Sequence, residues 1–483
     1  MKTQLLIDNS ARQATGGATF ERRHPVTGEV VTTGASATVE DAIAAADSAA
    51  AAFAAWSATG PSTRRAILLK AADLLEEKIP EFCEIMAAEV GASALWATFN
   101  VRGSAALFRE AAGLATQIQG ETLPTDKPGT LSMTIRQAAG VVLSIVPWNG
   151  PVLLGARAIA YPLVCGNPVI FKASESSPRT HELLVSCVNA AGLPAGVLNF
   201  LTSAPSEAGA VTEALIAHPA VRRINFTGST RVGRIIAETS ARYLKRSLLE
   251  LGGKAPFVVL DDADLDGAVN AAIFGAFLYQ GQICMSTERF VVDEKIADAF
   301  VSRFAERAKA LAAADPREQP GVVIGPMVSA ASGERLNTML IDAVAKGAVV
   351  VAGHKADGAK MPATIIDHVK PGMVIYDEET FGPITTIVRV NGDEEAIKVA
   401  NDTEYGLSSA VFSSNVNRAL NVATRLEFGC VHVNGATVQN EAQAPYGGMK
   451  NSGYGRFDGR AVIEEFTEIK WITLEDPAQP YPF

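Results

Sequence analysis

The feature that most constrains this chain is a run of alternating strand and helix text from Gly140 to Leu251. Val141 to Val146 is a short apolar stretch closed by Pro147, and Pro151 to Cys165 then reads as helix. Pro168 to Phe171, Val197 to Leu201, Arg223 to Phe226 and Ser247 to Leu251 read as further strands. The text between them reads as helices over Pro178–Ala191, Ala208–His218 and Gly228 to about Tyr243. Strand–helix–strand units of this kind close onto a parallel sheet with helices on both faces. The run therefore predicts an open, doubly wound parallel sheet. A second run from Pro256 to about Arg456 predicts a second α/β lobe, with strands at Pro256–Leu260, Arg289–Val292, Thr385–Val390 and Cys430–Val433.

The rest of the chain reads differently. Short strands and turns fill Leu5 to Val31. Thr38-Val-Glu-Asp41 is a capping-box start for an Ala-rich helix to about Trp56. Pro61 opens a second helix, with Ala66, Leu69, Ala72 and Leu75 expected on its buried face. Gly120 to Arg136 and Glu468 to Glu475 alternate like exposed strands, the first as a protruding hairpin. With 483 residues the chain is long enough for about three such units.

Composition removes several function classes. A formal charge of −10 and the lack of any Lys/Arg block argue against nucleic acid as a partner. No apolar run approaches the 18 residues of a membrane span, and the start turns polar too soon for a signal peptide. Five cysteines, few and odd in number, suit a reducing cytoplasm better than a disulfide framework. The six histidines show no metal-ligand spacing, so no metal site is expected.

Ligands of an open α/β sheet bind at the carboxyl ends of its strands. Lys172 and Glu175 follow the second strand; such a pair can hold a ribose, and a carboxylate there repels a 2′-phosphate, although two exposed charges are the plainer reading. Gly228 and Ser229 stand at a strand-to-helix junction, where Ser229 can cap the helix or help hold an anion. Gly228 and Gly233 have P-loop spacing, but Arg234-Ile235 replaces the Lys-Ser/Thr that would touch phosphate and magnesium. Glu250 ends a strand in apolar text before Gly252-Gly253, a setting for a raised pKa and a general base; a salt bridge to Lys254 is the alternative. Cys284, among Gln, Ser and Thr after Gly281, is the best nucleophile of the five cysteines. Cys430 and His432 share a strand face, which is better read as packing than as a catalytic pair. Asn149, after the first strand, offers an amide N–H for an oxyanion.

Together the segments resemble the aldehyde dehydrogenase superfamily. The matching motifs are Pro147-Trp-Asn149, Lys172-Ala-Ser-Glu175, Phe226-Thr-Gly-Ser-Thr-Arg-Val-Gly233, Glu250-Leu-Gly-Gly-Lys254, Gly281-Gln-Ile-Cys284, Glu379-Thr-Phe-Gly-Pro383 and Pro445-Tyr-Gly-Gly-Met-Lys450, in the family's order. The resemblance implies two doubly wound parallel-sheet lobes. An NAD-binding domain would span 1–119 and 141–251, a catalytic domain 252–456, and an oligomerisation arm 120–140 with 457–483. It implies a homodimer or homotetramer. It implies NAD as cofactor, held by Ile145, Pro147, Trp148, Lys172, Ser174, Glu175, Gly209, Phe226, Gly228, Ser229, Val232, Leu251, Glu379 and Phe381. Cys284 would attack the aldehyde, Asn149 and the Cys284 N–H would hold the oxyanion, and Glu250 would activate water to release the acid. Relatives that pass the acyl group to coenzyme A generally lack this Glu, so hydrolysis is favoured. Ser93-Ala-Leu-Trp96, Cys284-Met-Ser-Thr-Glu288 and the tail from Gly453 to Trp471 carry a likeness to the branch acting on aromatic aldehydes in hydrocarbon and naphthalene catabolism. The implied substrate is salicylaldehyde, with vanillin, benzaldehyde or a semialdehyde as alternatives and a non-redox thiol esterase as the distant one. Trp96, Gly150, Arg157, Ile283, Met285 and Tyr446 are the pocket candidates. Arg157 would meet the ortho-hydroxyl, unless it is a helix-surface or structural ion-pair residue.

Overall fold

In the computed structural model, which describes residues 1–481, the first alternating run forms the expected parallel sheet. Its five inner strands lie in the order Arg246–Glu250, Val221–Thr227, Val141–Ile145, Val169–Lys172, Leu198–Leu201, all parallel. Val141 to Leu143 and Val169 to Phe171 are almost wholly buried, as strands covered on both faces must be. The chain enters in the middle, runs outward to Leu198–Leu201, then returns to the other side of its first strand. This reversal opens a crevice between the ends of Val141–Ile145 and Val221–Thr227. Antiparallel edge strands complete the sheet: Leu5–Ile7 and Ser10–Arg12 on one side, Gly453–Tyr454 on the other.

The second sheet has seven strands, in the order Val349–Ala352, Thr364–Asp367, Ile384–Val390, Thr287–Asp293, Ala255–Val259, Ser408–Phe412, Cys430–Val433. Only Val349–Ala352 is antiparallel. A third sheet pairs Thr467–Leu474 with Leu131–Ala138 over eight residues, and Thr122–Leu123 extends it. Leu131, Ile135, Ile469, Trp471 and Leu474 stand exposed there.

Local expectations hold with two adjustments. The helix Val39–Ser57 starts on the capping box of Thr38 and Asp41, each side chain taking the other's backbone N–H. The helix Pro61–Glu77, however, buries Leu68, Ala71, Ala72 and Leu75, while Ala66 and Leu69 are exposed. Its text is apolar at four successive positions, 66 to 69, so periodicity alone allowed the stripe to be placed one residue off. The helix expected from Gly228 begins at Thr230, with the Ser229 side chain accepting from Val232 N at its cap. No helix among the described residues is long and apolar enough to cross a membrane.

Arg289 ties the second sheet to the loops around it. It is fully buried, donates to the carbonyls of Val399, Asp402 and Tyr376, and stacks 4.0 Å from the Tyr376 ring. Arg289→Met leaves those buried carbonyls without donors and is expected to cost about 3 kcal/mol, read as a lowered urea midpoint with unchanged dependence on urea concentration.

Candidate active site

A cleft of about 730 Å³ fills the crevice at the strand ends. Its walls are the turns that leave the parallel strands: Ile145 to Asn149, Lys172 to Glu175, Phe226 to Ser229 and Glu250 to Gly252. The second lobe closes it with Cys284, Glu379 and Phe381. All fourteen cofactor candidates line this cleft, as do Cys284, Glu250 and Asn149. Lys172 is buried rather than an exposed charge, and burial lowers its pKa against the pull of Glu175. Its Nζ donates to the adjacent Ala173 carbonyl at 3.3 Å, a weak contact that leaves donors for a ligand hydroxyl.

The four residues Leu251 to Lys254 join the last inner strand of one sheet to the first of the other. A Cβ on Gly252 would come within 2.7 Å of the Glu379 carboxylate, and one on Gly253 within 2.4 Å of the Cys284 carbonyl oxygen. Glycine here is a demand of close approach rather than of a special φ. Glu379 Oε1 accepts the Gly253 N–H at 2.8 Å. Lys254 does not pair with Glu250: its Nζ meets Glu288 Oε2 at 2.8 Å and the Glu378 carbonyl at 2.8 Å. Glu288 in turn accepts from the backbone N–H groups of Thr380 and Phe381, which fixes the Glu379 loop to the strand following Cys284.

Glu250 is fully buried at its strand end. Burial raises its pKa, while Arg157 opposes the shift. Burial raises the Cys284 thiol as well, and the Glu250 charge adds to it. The segment before Cys284 is wound tightly: Tyr279 and Gln280 have positive φ of 49° and 45°, uncommon for such residues. Gln280 is held by the Pro326 carbonyl and Gly325 N–H, and Tyr279 by stacking on Trp96 at 4.7 Å. Asn149 Nδ2 donates to the Gln282 carbonyl at 3.0 Å, leaving the second N–H of the same amide. The Cys284 backbone N–H meets no acceptor among the described residues.

The pocket candidates gather elsewhere around the same centre, and none of the six lines the cleft. Trp96 donates from Nε1 to the Asn149 carbonyl at 2.9 Å. Ile283 and Trp96 share one apolar cluster, and Met285 packs against it. Gly150 caps the helix Pro151–Val164 beside Asn149. Tyr446 is buried with its hydroxyl 3.3 Å from Cys284 Sγ. Arg157 is no helix-surface residue: it is 2% exposed and pairs with Asp458 at 3.1 Å. Cys83 is half-buried and contacts Thr98. Cys430 and His432 show no hydrogen bond to each other. Sequence reasoning missed the cleft residues Thr212, Glu213, Thr239 and Arg242. The Arg242–Glu213 pair, at 3.2 Å, joins two helices 29 residues apart and carries no motif. Thr227 and Gly252, by contrast, lie inside motifs that had been singled out.

Comparison with known proteins agrees with this geometry. The model of the aldehyde dehydrogenase family matches residues 12–472. A salicylaldehyde dehydrogenase of Pseudomonas putida is 64% identical over 483 residues, covering 100% of both chains. A vanillin dehydrogenase of Pseudomonas fluorescens is 53% identical over 99% of both. The crystal structure of a salicylaldehyde dehydrogenase from Pseudomonas putida G7, complexed with salicylaldehyde, superposes with a TM-score of 0.99 at 64% identity, covering 100% of both chains.

Burial, with the nearby Glu288 charge, pushes Glu379 up to about 8 from an ordinary 4.5. Between those values the folded protein holds a proton that the unfolded chain releases, so stability falls as pH rises through the window. Melting temperature is expected to drop from pH 5 to pH 8.5, and Glu379→Gln is expected to flatten part of that drop.

Proposed function

The chain belongs to the aldehyde dehydrogenase family, and we propose that it oxidises an aromatic aldehyde, salicylaldehyde first, to the carboxylic acid with NAD as hydride acceptor. The observation that carries this is the meeting of Cys284, Glu250 and Asn149 at one end of a cleft rooted in the strand ends of the first sheet. In this reading residues 1–119 and 141–251 hold NAD, 252–456 carry the nucleophile, and 120–140 with 457–481 form an arm, residues 482 and 483 lying outside the described residues. Gly453–Tyr454 also completes the edge of the first sheet.

The cleft suits a dinucleotide. Buried Lys172, with spare donors, and the Glu175 carboxylate suit the two hydroxyls of an adenosine ribose. A 2′-phosphate would meet Glu175 unfavourably, which favours NAD over NADP. Ser229 and the start of the helix Thr230–Arg242 face the cleft where a pyrophosphate would lie. Glu379 and Phe381 would flank the nicotinamide ribose and ring.

The residues then divide the work. Cys284 must lose its proton to attack the carbonyl carbon, because the thiolate is the nucleophile. The free amide N–H of Asn149 and the unpaired Cys284 N–H can receive the oxyanion; one such donor is worth about 3 kcal/mol of barrier. NAD, when bound, supplies the hydride acceptor that turns the adduct into a thioester. Glu250, buried and with Oε2 unpartnered, is placed to take a proton from the water that opens it. Substrate choice is assigned to Trp96, stacked with Tyr279 and Phe99, together with Ile283, Met285, Gly150 and Tyr446. Arg157, committed to Asp458, acts on a substrate hydroxyl only through its unpaired Nε and Nη1. The five unpaired cysteines and the thiol nucleophile fit a reducing cytoplasm.

The test is absorbance of NADH formed from a panel of aldehydes with NAD and with NADP. NAD-dependent turnover peaking at salicylaldehyde is expected. A peak at vanillin, benzaldehyde or an aliphatic semialdehyde would keep the reaction and discard the substrate. Folded protein that hydrolyses esters but reduces no NAD would favour the thiol esterase.

We also infer that the arm joins copies of this chain into a dimer or tetramer. Its exposed Ile469, Trp471 and Leu474 on a paired strand suit a self-complementary contact. Ile469→Glu with Trp471→Glu is expected to lower the mass found by analytical ultracentrifugation, while secondary structure stays unchanged.

A further inference from the structure

We propose that the Tyr446 hydroxyl carries the Cys284 thiol proton to Glu250, so that nucleophile, hydroxyl and base form one proton path. The inference rests on the function proposed above and adds a residue to its chemistry. Tyr446 Oη lies 3.3 Å from Cys284 Sγ and 3.4 Å from Glu250 Oε1. The sulfur contact is an ordinary length for a hydrogen bond that involves sulfur, and there the thiol can donate to the hydroxyl oxygen. The oxygen contact is long and needs a few tenths of an ångström to close.

The two ends of that gap differ in freedom. Tyr446 is clamped: its backbone exchanges two hydrogen bonds with Phe457, at 2.8 and 2.7 Å, and its ring is 2% exposed. The Arg157 guanidinium covers one ring face at 4.6 Å and is itself fixed by Asp458 at 3.1 Å. Glu250, by contrast, has no hydrogen bond at Oε2, although the Cys284 and Thr227 side chains also lie against its carboxylate. A clamped hydroxyl between a thiol and a carboxylate is the arrangement a relay requires.

In the step, the S–H bond of Cys284 breaks as its proton joins Tyr446 Oη. The O–H bond of Tyr446 breaks as its own proton joins Glu250 Oε1. Tyr446 ends neutral, Glu250 becomes a carboxylic acid and Cys284 a thiolate. One negative charge moves from oxygen to sulfur and no electrons are exchanged with any other group. Several groups face this trio. Arg157 comes from the helix Pro151–Val164, Thr227 from the neighbouring strand of the first sheet, and Cys430 from the last strand of the second. Asp458 and Tyr161 lie behind Arg157. Burial raises the pKa of all three members, and Arg157 opposes the rise at each. The buried Arg157 cation therefore eases one shared negative charge, whichever atom holds it.

The test follows alkylation of Cys284 by iodoacetamide, read by mass spectrometry of its peptide, from pH 6 to pH 10. It needs neither aldehyde nor NAD, so its failure is separate from a failure of the wild-type protein to oxidise aldehydes. Tyr446→Phe, Glu250→Gln and the double variant form a cycle. Each single variant is expected to slow alkylation at pH 7.5 by at least about tenfold and to move its rise to higher pH. The double variant is expected to be no slower than the slower single one. Two results would overturn the relay: a Tyr446→Phe profile that coincides with wild type, or losses that multiply in the double variant. Tyr446→Leu, which loses the ring as well, is expected to match Tyr446→Phe. A shift confined to Tyr446→Leu would assign the effect to packing and also sink the relay.

Discussion

The site depends on how closely two sheets can approach through a four-residue connection. Leu251 to Lys254 leave the first sheet beside Glu250 and enter the second beside the backbone of Cys284. Any side chain at Gly252 or Gly253 would strike the Glu379 carboxylate or the Cys284 carbonyl. Glu250, the Cys284 backbone and the Glu379 carboxylate are thus brought together by backbone geometry before any side chain chooses a rotamer. Such a connection is short enough to hold distances tightly, which is what a preorganised reaction centre needs.

Around that connection Glu250, Lys254 and Glu288 are buried. Lys254 serves Glu288, and Glu288 holds the backbone of Thr380 and Phe381, so neither compensates Glu250. Fully buried Glu250 and half-buried Glu379 are left in positions that favour their protonated forms. Arg157, paired with Asp458, supplies the nearest buried positive charge, acting across the Tyr446 ring. Breaking such a buried pair would leave an uncompensated charge, so Arg157 has a structural duty whatever it does for a substrate.

Much of this was legible from the text of the chain. Strand–helix alternation with proline and glycine punctuation predicted two parallel lobes, because strand–helix–strand units close onto a parallel sheet. The turns after each strand marked the cleft wall. Other features were not legible. The buried stripe of Pro61–Glu77 was misplaced by one residue because four adjacent apolar positions satisfy two registers equally. Arg157 and Asp458 lie some 300 residues apart, and neither sits in a motif that names the other.

What the sequence alone determined is therefore what depends on local order: the strand–helix alternation, the caps, the turns at strand ends and the identity of the chemically able residues. The partners of the charges were decided only by tertiary structure. Lys254 was four residues from Glu250 in the chain, yet it pairs with Glu288 on a neighbouring strand. Tyr446, some 160 residues beyond Cys284, reaches its sulfur. Pairing of this kind depends on distance in space and on which groups lose water together, and neither quantity is written in the spacing of residues along the chain.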